Sequence, residues 1–246
     1  MNCQPLWILL VYNWLINNQS CLLCDERART EQALCVACEL ELPWLGDRCQ
    51  RCALPLPMAG LVCGQCIRQP PAFERVHAPW VYGFPIDSLI VRFKHHSKWP
   101  YGRLLAEILG QSLLDSFNMG EPRPDALLPV PLSTKRLRER GYNQAGMLGD
   151  WLGKQLCIPC QPHWLLRSRN TAAQQDLDAK TRKRNLRHAF SLAPGVQVNG
   201  LHLALIDDVL TTGATAESLA RLLLKGGARR VDVYCLARTP KPDGLA

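Results

Sequence analysis

The sequence predicts an α/β protein, a parallel sheet flanked by helices, with a cysteine-rich module at its N-terminal end. Three observations point there. Eight of the 12 cysteines fall in four Cys-x-x-Cys pairs, all before residue 67. Residues 201–206 and 231–236 are short apolar runs of the kind that form strands buried on both faces. Between them lies one amphipathic helix, the crossover that a parallel pair requires. At 246 residues, the chain can bury one good-sized core plus a small appendage. An apolar fraction of 47% with 20% charged residues is ordinary for a globular domain and excludes disorder over most of the length.

Residues 1–20 open the chain with an apolar run over 5–16, too short for the roughly 20 residues that span a bilayer. No Lys or Arg precedes that run and no small-residue cleavage site follows. A short N-terminal helix packing its Trp and Leu side chains on the neighbouring domain is expected. No transmembrane span is expected, and a membrane-surface anchor lacks the basic face it needs.

Residues 21–70 read as a double zinc-binding module. Its pairs are Cys21/Cys24, Cys35/Cys38, Cys49/Cys52 and Cys63/Cys66, so the unit C-x2-C-x10-C-x2-C occurs twice. Each knuckle supplies two thiolates from one tight turn, and tetrahedral zinc takes four. Two structural zinc ions follow, with sequential or interleaved pairing of the knuckles left open. Metal-ligand spacing rather than a disulfide framework places the chain in a reducing, cytoplasmic setting. With four thiolates per ion no position stays open for substrate, and metal binding supplies folding energy that so small a segment lacks. Cys157 and Cys160 form a fifth, isolated pair; with Cys3 and Cys235 they are expected to be small core residues.

Pro70-Pro71 begins a linker, and residues 76–240 form the second domain. Residues 104–114 have helical spacing, with Leu104, Leu105, Ile108, Leu109 and Leu113 on one side. A buried strand at 126–131 runs into a proline-stiffened loop, and a helix at Gln144–Leu156 precedes an edge strand. The clearest strand, 201–206, is apolar except for His202. A helix over 216–225 turns Leu219, Leu222 and Leu223 inward and stops at Gly226-Gly227.

Where that strand ends stand Asp207 and Asp208, followed by Thr211, Thr212, Gly213, Ala214 and Thr215, and then the helix. Backbone N–H groups of a tight loop at a helix N-terminus favour an anion. The threonines add hydroxyl donors, and Gly213 lets the backbone approach closely. Ligands of open parallel sheets sit at the carboxyl ends of strands. Adjacent acids would be wasteful beside a bare phosphate; they suit ribose hydroxyls, or an Mg²⁺ that bridges ribose and pyrophosphate oxygens.

The net charge of +8 is not spread evenly: the excess sits in residues 133–190. Lys135, Arg136, Arg138, Arg140, Arg167, Arg169, Lys180 and the run Arg182-Lys183-Arg184 lie there. Such a field attracts phosphates, on a metabolite or on nucleic acid; a solvated basic face is the alternative. Arg182 to Arg184 exceed what one pyrophosphate needs, which leaves room for a single-stranded nucleic-acid backbone. His95-His96 lacks a third metal ligand within reach in sequence.

The stretch around Asp207 and Asp208 resembles the phosphoribosyl-pyrophosphate (PRPP) signature of type I phosphoribosyltransferases. More narrowly, the chain resembles the ComF/GntX family of bacterial competence and DNA-utilisation proteins. The likeness includes the cysteine module, Pro129-Val130-Pro131-Leu132, and the run from Arg136 through Gly141-Tyr142-Asn143-Gln144. It continues through Arg167-x-Arg169-Asn170-Thr171-x-x-Gln174 and Arg182-x-x-Asn185. The resemblance implies a type I phosphoribosyltransferase-like sheet. It implies that Asp207 and Asp208 meet ribose hydroxyls or metal, and that the 211–215 loop cradles the 5-phosphate. It places Val130, Pro131, Leu132 and Ser133 at the pyrophosphate loop, beside Arg136. A mobile loop would carry Arg167, Arg169, Gln174, Arg182 and Asn185. Lys94 matches a lysine common in the family and either approaches the phosphates or is a surface charge. Three readings follow: a phosphoribosyltransferase of unknown acceptor, a binder of PRPP, nucleotide or single-stranded DNA, and a zinc-dependent adaptor for DNA-uptake proteins.

Overall fold

The computed structural model describes residues 20–28, 32–95, 98–167 and 189–241. Nearly all of the expected N-terminal helix, and Arg169, Gln174, Arg182 and Asn185, lie outside the described residues. The chain divides into two compact units, 1–43 and 44–246. Among its described residues, the first unit contains the Cys21, Cys24, Cys35, Cys38 group and one short helix, α1 (Val36–Leu40). Cys35 caps that helix, its sulfur accepting from the Cys38 N–H at 3.5 Å.

The second unit begins with the other cysteine group, which includes the short helix α2 (Gly64–Arg68). Strands β1 (Arg75–His77) and β2 (Trp80–Val81), helices α3 (Ile86–His95) and α4 (Trp99–Asn118), and strand β3 (Ala126–Pro129) follow. Next come helices α5 (Thr134–Arg140) and α6 (Gln144–Leu156), and an antiparallel pair of β4 (Leu165–Arg167) with β5 (Phe190–Leu192). The chain closes with β6 (His202–Leu210), α7 (Ala214–Lys225) and β7 (Arg230–Arg238). The main sheet is parallel throughout, in the order β1-β7-β6-β3, with β2 sharing the outer edge of β7.

Central position explains composition. Leu203, Ala204, Leu205 and Ile206 are all fully buried, as a strand covered on both faces must be. His202, the one polar residue of that run, is buried too, and both ring nitrogens are satisfied. Nε2 meets Asp232 Oδ2 at 2.7 Å and Nδ1 meets the Arg123 carbonyl at 3.1 Å. The strand runs four residues past the apolar stretch. Asp207, Val209 and Leu210 stay in register with Cys235, Ala237 and Arg238 of β7, since ladder bonds do not require apolar side chains. The two acids therefore ride on the sheet rim, fixed by its hydrogen bonds.

The helices behave as their spacing predicts. Leu104, Leu105, Ile108, Leu109 and Leu113 of α4 are buried, as are Leu219 and Leu223 of α7, with Leu222 half-buried. Burying each such side chain stabilises by about 1.5–3 kcal/mol, and Leu205→Ala, which would leave a cavity at the sheet centre, costs about 2–5 kcal/mol. Helix α6 packs on both α4 and β3. It comes close because Gly149 has no side chain: a Cβ there would lie 2.8 Å from Pro129 Cγ and from Cys160 Sγ. Cys235 is buried as expected, but Cys157 is exposed and Cys160 only half-buried. Cys157 ends α6 in a left-handed conformation (φ 54°), which turns the chain out of the helix and its side chain away from the core. Among the described residues no helix is long and apolar enough to cross a membrane.

Candidate functional site

Asp207 and Asp208 stand side by side near the carboxyl end of β6, half-buried. The Asp208 N–H donates to Asp207 Oδ1 at 2.9 Å. Burial, and then the Asp208 charge, push the Asp207 carboxyl up to about 7, against the pull of Lys94 and Arg136. Lys94 comes from α3, and its Nζ lies 2.8 Å from Asp208 Oδ2, both side chains under a fifth exposed. It is thus no solvated surface charge. The resulting rim is acidic, oxygen-only and cation-adjacent.

Beyond it the chain turns through exposed Thr211 and Thr212 into Gly213. Gly213 caps α7 with φ 74°, a left-handed conformation that favours glycine. The helix begins at Ala214, so Ala214 and Thr215 lie in its first turn, where backbone N–H groups have no partner within the helix. Thr212 Oγ1 accepts from the Ala214 N–H at 3.4 Å.

The neighbouring loop is held from two sides. The Val130 N–H donates to the Ile206 carbonyl at 2.9 Å, and Asn143 Nδ2 donates to the Val130 carbonyl at 3.1 Å. Val130 is buried, while Pro131, Leu132 and Ser133 are half-buried. Ser133 caps α5, its Oγ accepting from the Arg136 N–H at 3.3 Å. The Tyr142 hydroxyl donates to the Phe93 carbonyl, and Gln144 Nε2 to the Lys94 carbonyl at 3.4 Å. The Tyr142-Asn143-Gln144 stretch therefore ties the Lys94 helix to the Val130 loop. Arg136 is exposed, yet its charge reaches both Asp207 and Arg167. Arg167 ends β4 with its guanidinium 5.4 Å from the centre of the Phe190 ring.

Arg238 escaped sequence reasoning. It ends β7 almost wholly buried, with Nε on the Cys52 carbonyl at 2.9 Å. Its Nη1 reaches the carbonyls of Leu210 (3.0 Å), Thr211 (2.5 Å) and Thr239 (2.7 Å). Neither periodicity nor a local motif marks a lone arginine at a strand end.

The eight module cysteines gather as two sets of four, Cys21/Cys24/Cys35/Cys38 and Cys49/Cys52/Cys63/Cys66, each with its sulfurs within 4.8 Å of one another. This is sequential rather than interleaved pairing. The Cys24–Cys35 and Cys52–Cys63 sulfur distances are both 3.7 Å. A tetrahedron with Zn–S of about 2.3 Å has S···S edges of about 3.8 Å, so both groups fit a structural zinc ion.

A family model described as a double zinc ribbon domain matches residues 11–67. The DNA utilization protein YhgH of Escherichia coli O6:H1 is 35% identical over 220 residues, 89% of this chain and 90% of that protein. Competence protein F of Haemophilus influenzae is 37% identical over 70% of this chain and 76% of its own. Among solved structures, the glutamine PRPP amidotransferase of B. subtilis, complexed with ADP and GMP, is similar over 55% of this chain and 25% of its own. Its TM-score is 0.36 at 20% identity. The extent of the match to the DNA-utilization and competence proteins shows that this chain belongs to their family, ComF/GntX.

Proposed function

We propose that the second unit binds PRPP together with Mg²⁺ and transfers its phosphoribosyl group to an acceptor, in the cytoplasm, in the service of DNA uptake or the use of DNA as a nutrient. The observation that carries this reading is the Asp207–Asp208 pair on a rigid strand, directly ahead of a threonine-glycine turn that opens α7. Asp207 and Asp208 hold the ribose hydroxyls or the metal, a hard cation suited to such oxygen donors. The first-turn N–H groups and the Thr211, Thr212 and Thr215 hydroxyls take the 5-phosphate. Residues 130–133, Arg136 and Arg167 face the pyrophosphate, with Arg169, Gln174, Arg182 and Asn185 assigned to the closing loop. Bound Mg²⁺ supplies charge neutralisation to the leaving pyrophosphate. No protein nucleophile is required, because orientation and fixed charge lower the barrier of such a transfer.

The test is thermal. Ligand at about 100 times its Kd stabilises by about 2.7 kcal/mol, a shift of several degrees for a unit of this size. PRPP with Mg²⁺ raises Tm in the intact chain, and Asp207→Asn with Asp208→Asn removes the shift. No shift in the intact chain contradicts the reading.

One observation favours a second reading, a non-catalytic binder of single-stranded DNA acting with DNA-uptake proteins. Helix α5 has no buried residue and carries Lys135, Arg136, Arg138 and Arg140. Oligonucleotide binding that falls steeply with salt and with charge reversal along α5 supports it; salt-insensitive binding, or none, rules it out.

A further inference from the structure

A cavity of about 450 Å³ lies among the second cysteine group, β1, β7 and the end of α4. That volume is in the range of small-molecule sites. Arg75 pairs with Asp232 and His77 with Tyr234, so strand alternation puts all four on one face of the sheet. Val231, Val233 and Cys235, on the other face, pack in the core cluster with α7. The cavity also lies upstream of the Asp207–Cys235 pair, and none of Asp207, Asp208, residues 130–133 or residues 211–215 lines it. It is separate from the site described above.

Its donors lack partners. Tyr234 is 4% exposed, yet among the described residues its hydroxyl has no hydrogen-bond partner and stays uncovered on the cavity wall. A buried phenol ordinarily finds one. Arg48 is half-buried, with Nη1 on the Leu45 carbonyl at 2.7 Å, and among the described residues it has no carboxylate partner. Arg75 is paired with Glu121. Burial, and then the charges of Arg48 and Arg75, push the His77 imidazole down to about 4, so both guanidinium groups act on one place. His77 is therefore neutral, its Nε2 lying 3.0 Å from Ser112 Oγ on α4.

The acids of the lining do not cancel this field. Glu121 answers Arg75, and Asp232 is held by Arg230 at 3.0 Å and His202 at 2.7 Å. Asp47 is exposed, where solvent screens it. Two guanidinium groups and a free phenol form a donor set suited to a phosphate oxyanion. Leu113, Phe117, Met119 and Pro122 give the same cavity an apolar wall. A bare phosphate has no use for that wall, whereas a ring joined to the phosphate does.

We propose that this cavity binds a nucleoside monophosphate, its phosphate on Arg48, Arg75 and the Tyr234 hydroxyl and its base against the Phe117–Met119 wall. The site stands whether or not Asp207 and Asp208 meet a ribose phosphate.

Calorimetric titration of the full, zinc-replete chain with AMP, adenosine, inorganic phosphate and benzoate tests it. AMP binds saturably. Adenosine lacks the phosphate, inorganic phosphate lacks the ring, and benzoate carries a single charge; each binds at least about tenfold more weakly. The AMP site persists in Asp207→Asn with Asp208→Asn. Tyr234→Phe keeps the ring packing and lowers AMP affinity severalfold. Arg48→Met lowers it at least about tenfold, with zinc content still at about two ions per chain. Should Arg48→Met lose zinc, Tyr234→Phe decides. Absence of AMP binding, AMP binding unmoved by Tyr234→Phe, or loss of the site in the double aspartate variant overturns the proposal. Adenosine, inorganic phosphate or benzoate binding as tightly as AMP overturns it as well.

Discussion

The two four-cysteine groups share one spacing and one sulfur geometry, yet they are built into the molecule differently. In the first, Cys24 is exposed and Cys35 and Cys38 are half-buried. In the second, Cys49, Cys63 and Cys66 are buried in an apolar cluster with Leu54, Leu56 and Val62. The second group is also bonded to the sheet. The Arg51 carbonyl accepts from the Val76 N–H at 2.9 Å, and the Cys52 carbonyl holds Arg238, whose other bonds end on Leu210 and Thr211. A repeated ligand pattern therefore specifies a metal site twice, while the surrounding apolar residues and backbone bonds decide whether, as in the second group, it becomes a wall of the sheet unit.

The largest expected effect contrasts Cys63→Ser with Cys24→Ser. Each lowers bound zinc from about two ions to one by metal analysis. Structural zinc contributes folding energy outright, so losing the buried site costs the sheet unit at least about 3 kcal/mol, about 10 °C in Tm, and abolishes the PRPP shift. Cys24→Ser leaves the sheet unit's melting and its PRPP response essentially unchanged. Equal losses from the two variants break the comparison.

A smaller effect follows Lys94→Met, which leaves Asp208 beside Asp207 without its cation. Removing one partner of a largely buried pair costs about 1–3 kcal/mol here, less than for full burial because both side chains keep some solvent. Calorimetric unfolding reads it, and zinc content stays at two ions.

The smallest is a pH effect confined to the acid pair. Asp207 is pushed from its usual 3.8 to about 7, so the folded unit holds a proton that the unfolded chain releases. The stability due to that proton is full below about pH 4 and is lost as pH rises through about 7. Mg²⁺ needs the deprotonated form, so PRPP–Mg²⁺ affinity rises severalfold between pH 6 and 8 while zinc retention does not change. A flat affinity profile contradicts the Asp207 assignment.

Much of this was legible in order along the chain. The apolar runs marked β6 and β7, the 3.6-residue spacing marked α4, α6 and α7, and the cysteine spacing marked both metal groups. What escaped lies in long-range pairing. Lys94 and Asp208 are brought together by α3 packing near the strand end, and no local pattern links them. Arg238 reads as the end of a strand until its four carbonyl partners are seen. The strand's extension through Asp207 and Asp208 depends on register with β7, which side-chain polarity does not encode. The exposure of Cys157 follows from one left-handed residue at the end of α6.

The most direct test of the central claim is titration calorimetry of PRPP into the intact chain at pH 8, with and without Mg²⁺. A saturable heat that requires Mg²⁺ and disappears in Asp207→Asn with Asp208→Asn is the predicted result. Heat that survives the double substitution, or none from the zinc-replete wild-type chain, contradicts the assignment of the acid pair and its loop to a ribose phosphate.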